Sequence, residues 1–204
     1  TDVVAASVVD EVVPVEVMDS GQLVQWFQVF INGMTGDLIL PGQSITISGL
    51  DGDDLILVDE RVPFGVTVYG GEGNDTIIGG SGDDLLFGDA GHDVISGGAG
   101  NDTIYGNFGG DTLSGGPGDD QIFGGIGRDS INGGAGNDSL YGGNGMDCIR
   151  GGAGDDYIEG KGKADTIYGG AGNDTINSGA GADLVFGQEG DDVIYAFSHI
   201  LFTD

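Results

Sequence analysis

The chain has 204 residues, 45 of them glycine, and a formal charge of −29 from 34 acidic and five basic side chains. Four prolines are too few for collagen and 38% hydrophobic residues too many for simple disorder, which leaves a turn-dense repeat. The charge argues against a nucleic-acid partner, whose phosphates need a basic surface. It calls instead for bound cations, because the acids are periodic and not scattered as on a merely solubilising surface.

In chain order, Thr1 to Ser20 is rich in valine and acids and reads as a linker or an edge strand. The chain opens without a methionine or signal peptide, as expected of a fragment or a mature form. Gln25 to Ile31 and Ser44 to Ile47 read as strands, with Pro41-Gly42 marking a turn between them. Residues 1–48 are therefore expected to be a linker followed, from about 22, by metal-free β-structure that caps what comes next. Gly49 to Leu57 is an imperfect copy of a nine-residue unit, 21 residues ahead of the first regular copy. Residues 58–69 should complete its coil without a turn for an ion.

From Gly70 to Tyr195 the pattern G-G-x-G-x-D-x-U-x, with U aliphatic, runs through fourteen copies without an insertion. Position six is aspartate in every copy: Asp75, Asp84, Asp93, Asp102, Asp111, Asp120, Asp129, Asp138, Asp147, Asp156, Asp165, Asp174, Asp183 and Asp192. Position eight is Ile, Leu or Val in every copy, from Ile77 to Ile194. Glycine at positions one, two and four permits positive φ and close backbone approach, so a tight turn can aim its carbonyls at an ion. The aspartate adds a hard anionic oxygen suited to Ca²⁺. Positions seven to nine should form a short strand whose alternation buries position eight and exposes seven and nine.

These repeats resemble the repeats-in-toxin (RTX) family of secreted bacterial calcium-binding modules, over roughly two thirds of the chain. The resemblance implies an all-β fold, a right-handed parallel β-roll or β-solenoid with two nonapeptides per coil, over residues 49–195. It implies calcium held between turns eighteen residues apart, by the fourteen position-six carboxylates and by turn carbonyls. At one ion per gap, about twelve ions would bring the formal charge from −29 to about −5. It also implies an extracellular location. Residues 196–204 form a tail too short to cap much, and could belong to a C-terminal type I secretion signal.

If alternate repeats stack, the aspartates fall into two columns, headed by Asp75 and Asp84. At position five the second column reads Asp83, Asn101, Asp119, Asn137, Asp155, Asn173, Asp191, while the first drifts through His92, Gly110, Arg128 and Met146. The second column is accordingly expected to be the better ion ladder, unless position five simply faces solvent. At position nine, Phe87, Tyr105, Phe123 and Tyr141 recur every eighteen residues on one sheet. Such a stripe could bind a carbohydrate or a protein partner, but cross-strand stacking is the favoured reading.

Other signals are weak. Cys148 is the one cysteine, so no internal disulfide forms, and no run of eighteen apolar residues suggests a membrane span. Asn-Asp-Thr and Asn-Asp-Ser glycosylation patterns are by-products of the repeat, and His92 and His199 belong to no zinc or triad signature. The expectation is a secreted calcium-binding module that folds on meeting external calcium, a monomer or part of a larger chain, with no catalysis of its own. Alternatives are an adhesive or carbohydrate-binding surface, or the C-terminal module of a larger protease, lipase or epimerase.

Overall fold

The computed structural model describes residues 2–5, 18–19, 22–23, 29–31, 34–35, 45–60, 62, 64–196 and 201–202. Among them every regular element is a strand. Successive nonapeptides alternate between two sheets, so each strand pairs in parallel with the strand eighteen residues away. Leu85, Leu86 and Phe87 lie opposite Thr103, Ile104 and Tyr105, which lie opposite Gln121, Ile122 and Phe123. The first sheet has ten strands, running outward from Asp2–Ala5 through Ile45–Asp51, Val66–Glu72 and Leu85–Ala90 to Val193–Ala196. The second has eleven, from Met34–Thr35 and Val29–Ile31 through Leu55–Val58 and Thr76–Gly80 to Leu201–Phe202. This is a parallel β-roll with two nonapeptides per coil.

The core is a single file of aliphatic side chains from both sheets. Position eight is at most 2% exposed from Ile77 to Val185, and Ile47, Ile56 and Val68 extend the file into the irregular first coil. In that coil Val62 is buried and Phe64 packs against the core, where a regular coil would have a turn.

The strands are longer than positions seven to nine. Thr103–Phe108 covers seven to nine of one repeat and one to three of the next, and most other strands do the same. The glycines therefore divide their work differently from the expectation. Every position-two residue from Gly71 to Gln188 has positive φ, as do most at position four, but none at position one. Position one is glycine in thirteen of the fourteen repeats, Ser178 being the exception, for lack of space: a Cβ on Gly142 or Gly160 would lie 2.7 Å from Oδ2 of the aspartate five residues on. Non-glycine residues at position two, among them Asp89 at 70° and Lys161 at 74°, hold a left-handed backbone. Such a conformation costs roughly 1–2 kcal/mol for a side chain such as lysine, and less for aspartate or asparagine.

At the N-terminal end Asp2–Ala5 adds to the first sheet in parallel with Ile45–Ser48, as an edge strand. Val29–Ile31 lies antiparallel to Leu55–Val58 and to Met34–Thr35, so the parallel stacking of the second sheet stops there. Most of the expected strand Gln25–Ile31, the turn at Pro41-Gly42 and His199 lie outside the described residues. The tail contributes more than its length suggested, since Leu201–Phe202 pairs with Leu184–Val185.

On the outer face of the first sheet, Tyr69, Phe87, Tyr105, Phe123 and Tyr141 stack face to face. Their centroids are 4.7–5.0 Å apart and their planes within 7°. The stack ends where Glu159 replaces the aromatic, and there Lys161 Nζ lies 5.5 Å from the Tyr141 ring. On the second sheet Arg150 meets Tyr168 in the same way, ahead of the Tyr168–Phe186 stack. Ring faces are thus covered by other rings, and mainly edges remain for solvent. That fits stiffening of the sheet better than sugar docking, which uses an open face.

Each aromatic pair contributes about 0.5–1.5 kcal/mol beyond its buried area. Tyr105→Ser breaks two pairs and is expected to lower stability by at least about 1 kcal/mol more than Tyr195→Ser; Tyr195 is 55% exposed at the end of the roll. Urea unfolding in excess calcium measures both, and equal losses would show that the stack contributes nothing.

Candidate metal centre

The turns that join the sheets occupy positions four to six of each repeat. Those of the first column lead from the first sheet to the second, and those of the second column lead back. The structure places the fourteen position-six aspartates in the two columns that the repeat implies. Asp75 to Asp183 are at most 3% exposed, and Asp192 in the last repeat is half-buried.

The two oxygens of each carboxylate have different fates. Oδ1 accepts the backbone N–H of the position-six residue one coil earlier, at 2.8–3.1 Å along both columns. Val66 N–H fills that role for Asp84, and Asp54 N–H for Asp75. Asp54 of the imperfect repeat therefore heads the first column, although the template match that begins at Gly70 leaves it out. Oδ2 of every position-six aspartate from Asp75 to Asp174 is buried without a hydrogen-bond partner. It lies against the position-one glycine of its own repeat, where no side chain could fit.

Backbone carbonyls line the same gaps. The carbonyl oxygen of Gly80 is the atom nearest to any side chain placed on Gly98, and that of Gly82 is nearest to one placed on Gly100. Positions two and four thus aim carbonyls at the next coil, while the next coil's aspartate reaches back. Among the described residues no three His, Cys, Asp or Glu side chains surround one point. An ion here would take few carboxylates and draw its remaining ligands from the backbone. Hard oxygens in that mixture suit Ca²⁺, which accepts six to eight. The buried donor-less Oδ2 atoms are the feature that fits such a cation, because an ionised carboxylate with an unmet oxygen is costly to bury.

Burial pushes these carboxyls above their ordinary value of 3.8. It carries Asp84, Asp156 and Asp165 to about 7, and Asp93, Asp102, Asp129 and Asp138 to about 6. The backbone N–H opposes the shift and neighbouring aspartates, such as Asp102 beside Asp84, add to it. Asp75, Asp111, Asp120, Asp147 and Asp174 are raised for the same main reason. At Asp147 the Lys163 ammonium pulls the other way, so that lysine's charge is felt one coil before its own.

Position five has a purpose that neither sequence reading supplied. In the second column each side-chain oxygen accepts the N–H of position five one coil on, at 2.7–3.0 Å from Asp83 through Asn101, Asp119, Asn137, Asp155 and Asn173 to Asp191. In the first column the ladder runs from Asp53 to Asn74 to His92, whose Nδ1 accepts Gly110 N–H at 2.8 Å, and Gly110 has no side chain to continue it. The regularity of Asp and Asn there arises from a backbone ladder, and does not by itself mark the better ion sites.

The raised values give the metal-free chain a definite pH response. Its folded form binds more protons than its unfolded form between about pH 4 and 7, so stability is greatest below the unfolded value and falls as pH rises through the folded ones. In excess chelator, β-sheet circular dichroism is expected near pH 4.5 and should fade toward pH 7.5. A signal that strengthens over that interval would contradict the geometry of the buried carboxyls.

No curated protein matches the chain closely. A family model for the RTX calcium-binding nonapeptide repeat does match, at residues 67–95, 87–122, 96–131, 114–147, 123–158, 150–185 and 159–194. These segments cover residues 67–194 without a break, almost the whole regular roll with its two aspartate columns. The chain belongs to the family of RTX calcium-binding nonapeptide repeats.

Proposed function

We propose that this chain is a secreted, extracellular calcium-binding module that folds when it meets external calcium, and that it is not itself an enzyme. The observation that carries this reading is the file of buried Oδ2 atoms without donors, from Asp75 to Asp174. The position-six aspartates are the carboxylate ligands, Asp183 and Asp192 completing the columns, with position-two and position-four carbonyls as the rest. Bound calcium supplies positive charge between coils that otherwise present carboxylate to carboxylate.

The chain's own contribution is to hold these oxygens in place. Backbone N–H groups fix Oδ1, position-one glycines leave room beside Oδ2, and left-handed turns point carbonyls into the gaps. At cytoplasmic calcium the carboxylates repel and the glycine-rich turns retain their entropy in the unfolded chain, which suits export. Affinity in the roughly 10⁻⁴–10⁻³ M range of extracellular modules would make the switch respond to location.

Seven turns per column leave six gaps, so equilibrium dialysis is expected to find about twelve ions per chain, with room for one more beside Asp54. One or two ions would refute the reading. Asp120→Ala should raise the calcium midpoint more than Asp165→Ala. Asp120 sits mid-column in a turn also braced by Asn101 and Asp119, whereas Asp165 follows Lys163, a non-glycine at φ 75° whose ammonium already lies near Asp147. Defects in stacked repeats also weaken neighbouring coils. Equal midpoints in calcium titrations followed by circular dichroism would show that the two turns bind alike.

A further inference from the structure

On the outer face of the first sheet, near its N-terminal end, adjacent coils depart from the repeat in the same place. Leu50, Asp89 and Asn107 occupy position two at φ 80°, 70° and 71°. They are three of the six non-glycine residues held at positive φ among the described residues. Gly71 lies in register between Leu50 and Asp89, so the raised side chains are interrupted. At position three Phe108 is 62% exposed beside Ala90. The result is a groove of about 630 Å³ that also reaches Tyr69.

The groove combines apolar and acidic surface. Leu50, itself 52% exposed, and Phe108 supply the apolar part, and Asp51, Glu72 and Asp89 supply carboxylates. Asn107 Nδ2 donates to Asp89 Oδ1 at 3.2 Å and so orients that carboxylate. No basic side chain lines it. It crosses four neighbouring strands, about 14 Å at the usual inter-strand spacing, which is the length of about four extended residues. Half of the non-glycine residues held at positive φ among the described residues thus gather at one exposed apolar spot, which marks it as a surface suited to a contact.

We propose that this groove docks a short segment of a partner protein in which arginine or lysine stands beside a large apolar side chain. The apolar group rests against Leu50 and Phe108, and the cation meets Glu72 and Asp89. The site uses position-two and position-three side chains and none of the position-six carboxylates; because the Asp89 charge is felt at Asp75 and Asp93, the calcium midpoint of Asp89→Gly is measured beside its peptide binding.

The test is fluorescence anisotropy of a labelled peptide alternating arginine with phenylalanine and leucine, added to the full chain in excess calcium. Saturable binding is expected. Phe108→Ala and Asp89→Gly should each weaken it at least about fivefold, as loss of a central contact does, while Ile126→Ala, exposed outside the groove, leaves it unchanged. Asp89→Gly keeps the left-handed turn, and circular dichroism of each variant separates lost docking from lost folding. Insensitivity to both groove substitutions, or equal binding of a peptide with serine in place of the apolar residues, would reduce the effect to attraction by the acidic chain and overturn the proposal. Self-association abolished by Phe108→Ala, with no peptide binding, would assign the groove to a second copy and overturn it too.

Discussion

Everything in this roll depends on carboxylates stacked inside it at one-coil intervals. Parallel strands set that interval at about 4.8 Å, so position-six aspartates are neighbours whether or not their charges permit it. Each has one oxygen tied to a backbone N–H and one with no donor, in a gap lined by carbonyls. Protons or cations must complete such a column. The glycine at position one, the left-handed turn at two and the aliphatic file at eight all serve to bring these carboxylates into register and keep them there.

Much of this was legible in the sequence because the repeat never slips. An unbroken nine-residue register fixes the two columns, and an invariant aliphatic at position eight fixes the core, since alternation sends its neighbours outward. The aromatic stripe was visible at position nine, and the structure supplies its geometry. Other features were hidden because they depend on what lies one coil away. Position one is glycine in every repeat but the one that begins at Ser178 because of an aspartate oxygen, not because of φ. The Asp and Asn run at position five is a hydrogen-bond ladder, which a single repeat cannot show. Asp54 joins the first column although its repeat begins 21 residues before the regular register, because the longer connection through Val62 and Phe64 absorbs the three extra residues.

The two edges of the roll consequently differ in character. Along the second column the position-five ladder continues unbroken to Asp191, and position three is mostly small, with Ala99, Pro117, Ala135, Ala153 and Ala171. Along the first column the ladder stops at Gly110, and large side chains such as Phe108, Ile126 and Met146 are exposed. A repeat that needs only its carboxylates and its core can vary the remaining positions on one edge without losing the fold. That freedom gives an otherwise uniform cation-binding roll room for a specific contact surface.

The central claim is that at neutral pH the buried carboxylate columns do not persist without a cation. Far-ultraviolet circular dichroism at pH 7.5, in excess chelator and then in millimolar calcium, tests it most directly. A largely unfolded spectrum that converts cooperatively to β-sheet as calcium is added is the expected result. A strong β-sheet spectrum in chelator, unchanged by calcium, would contradict it.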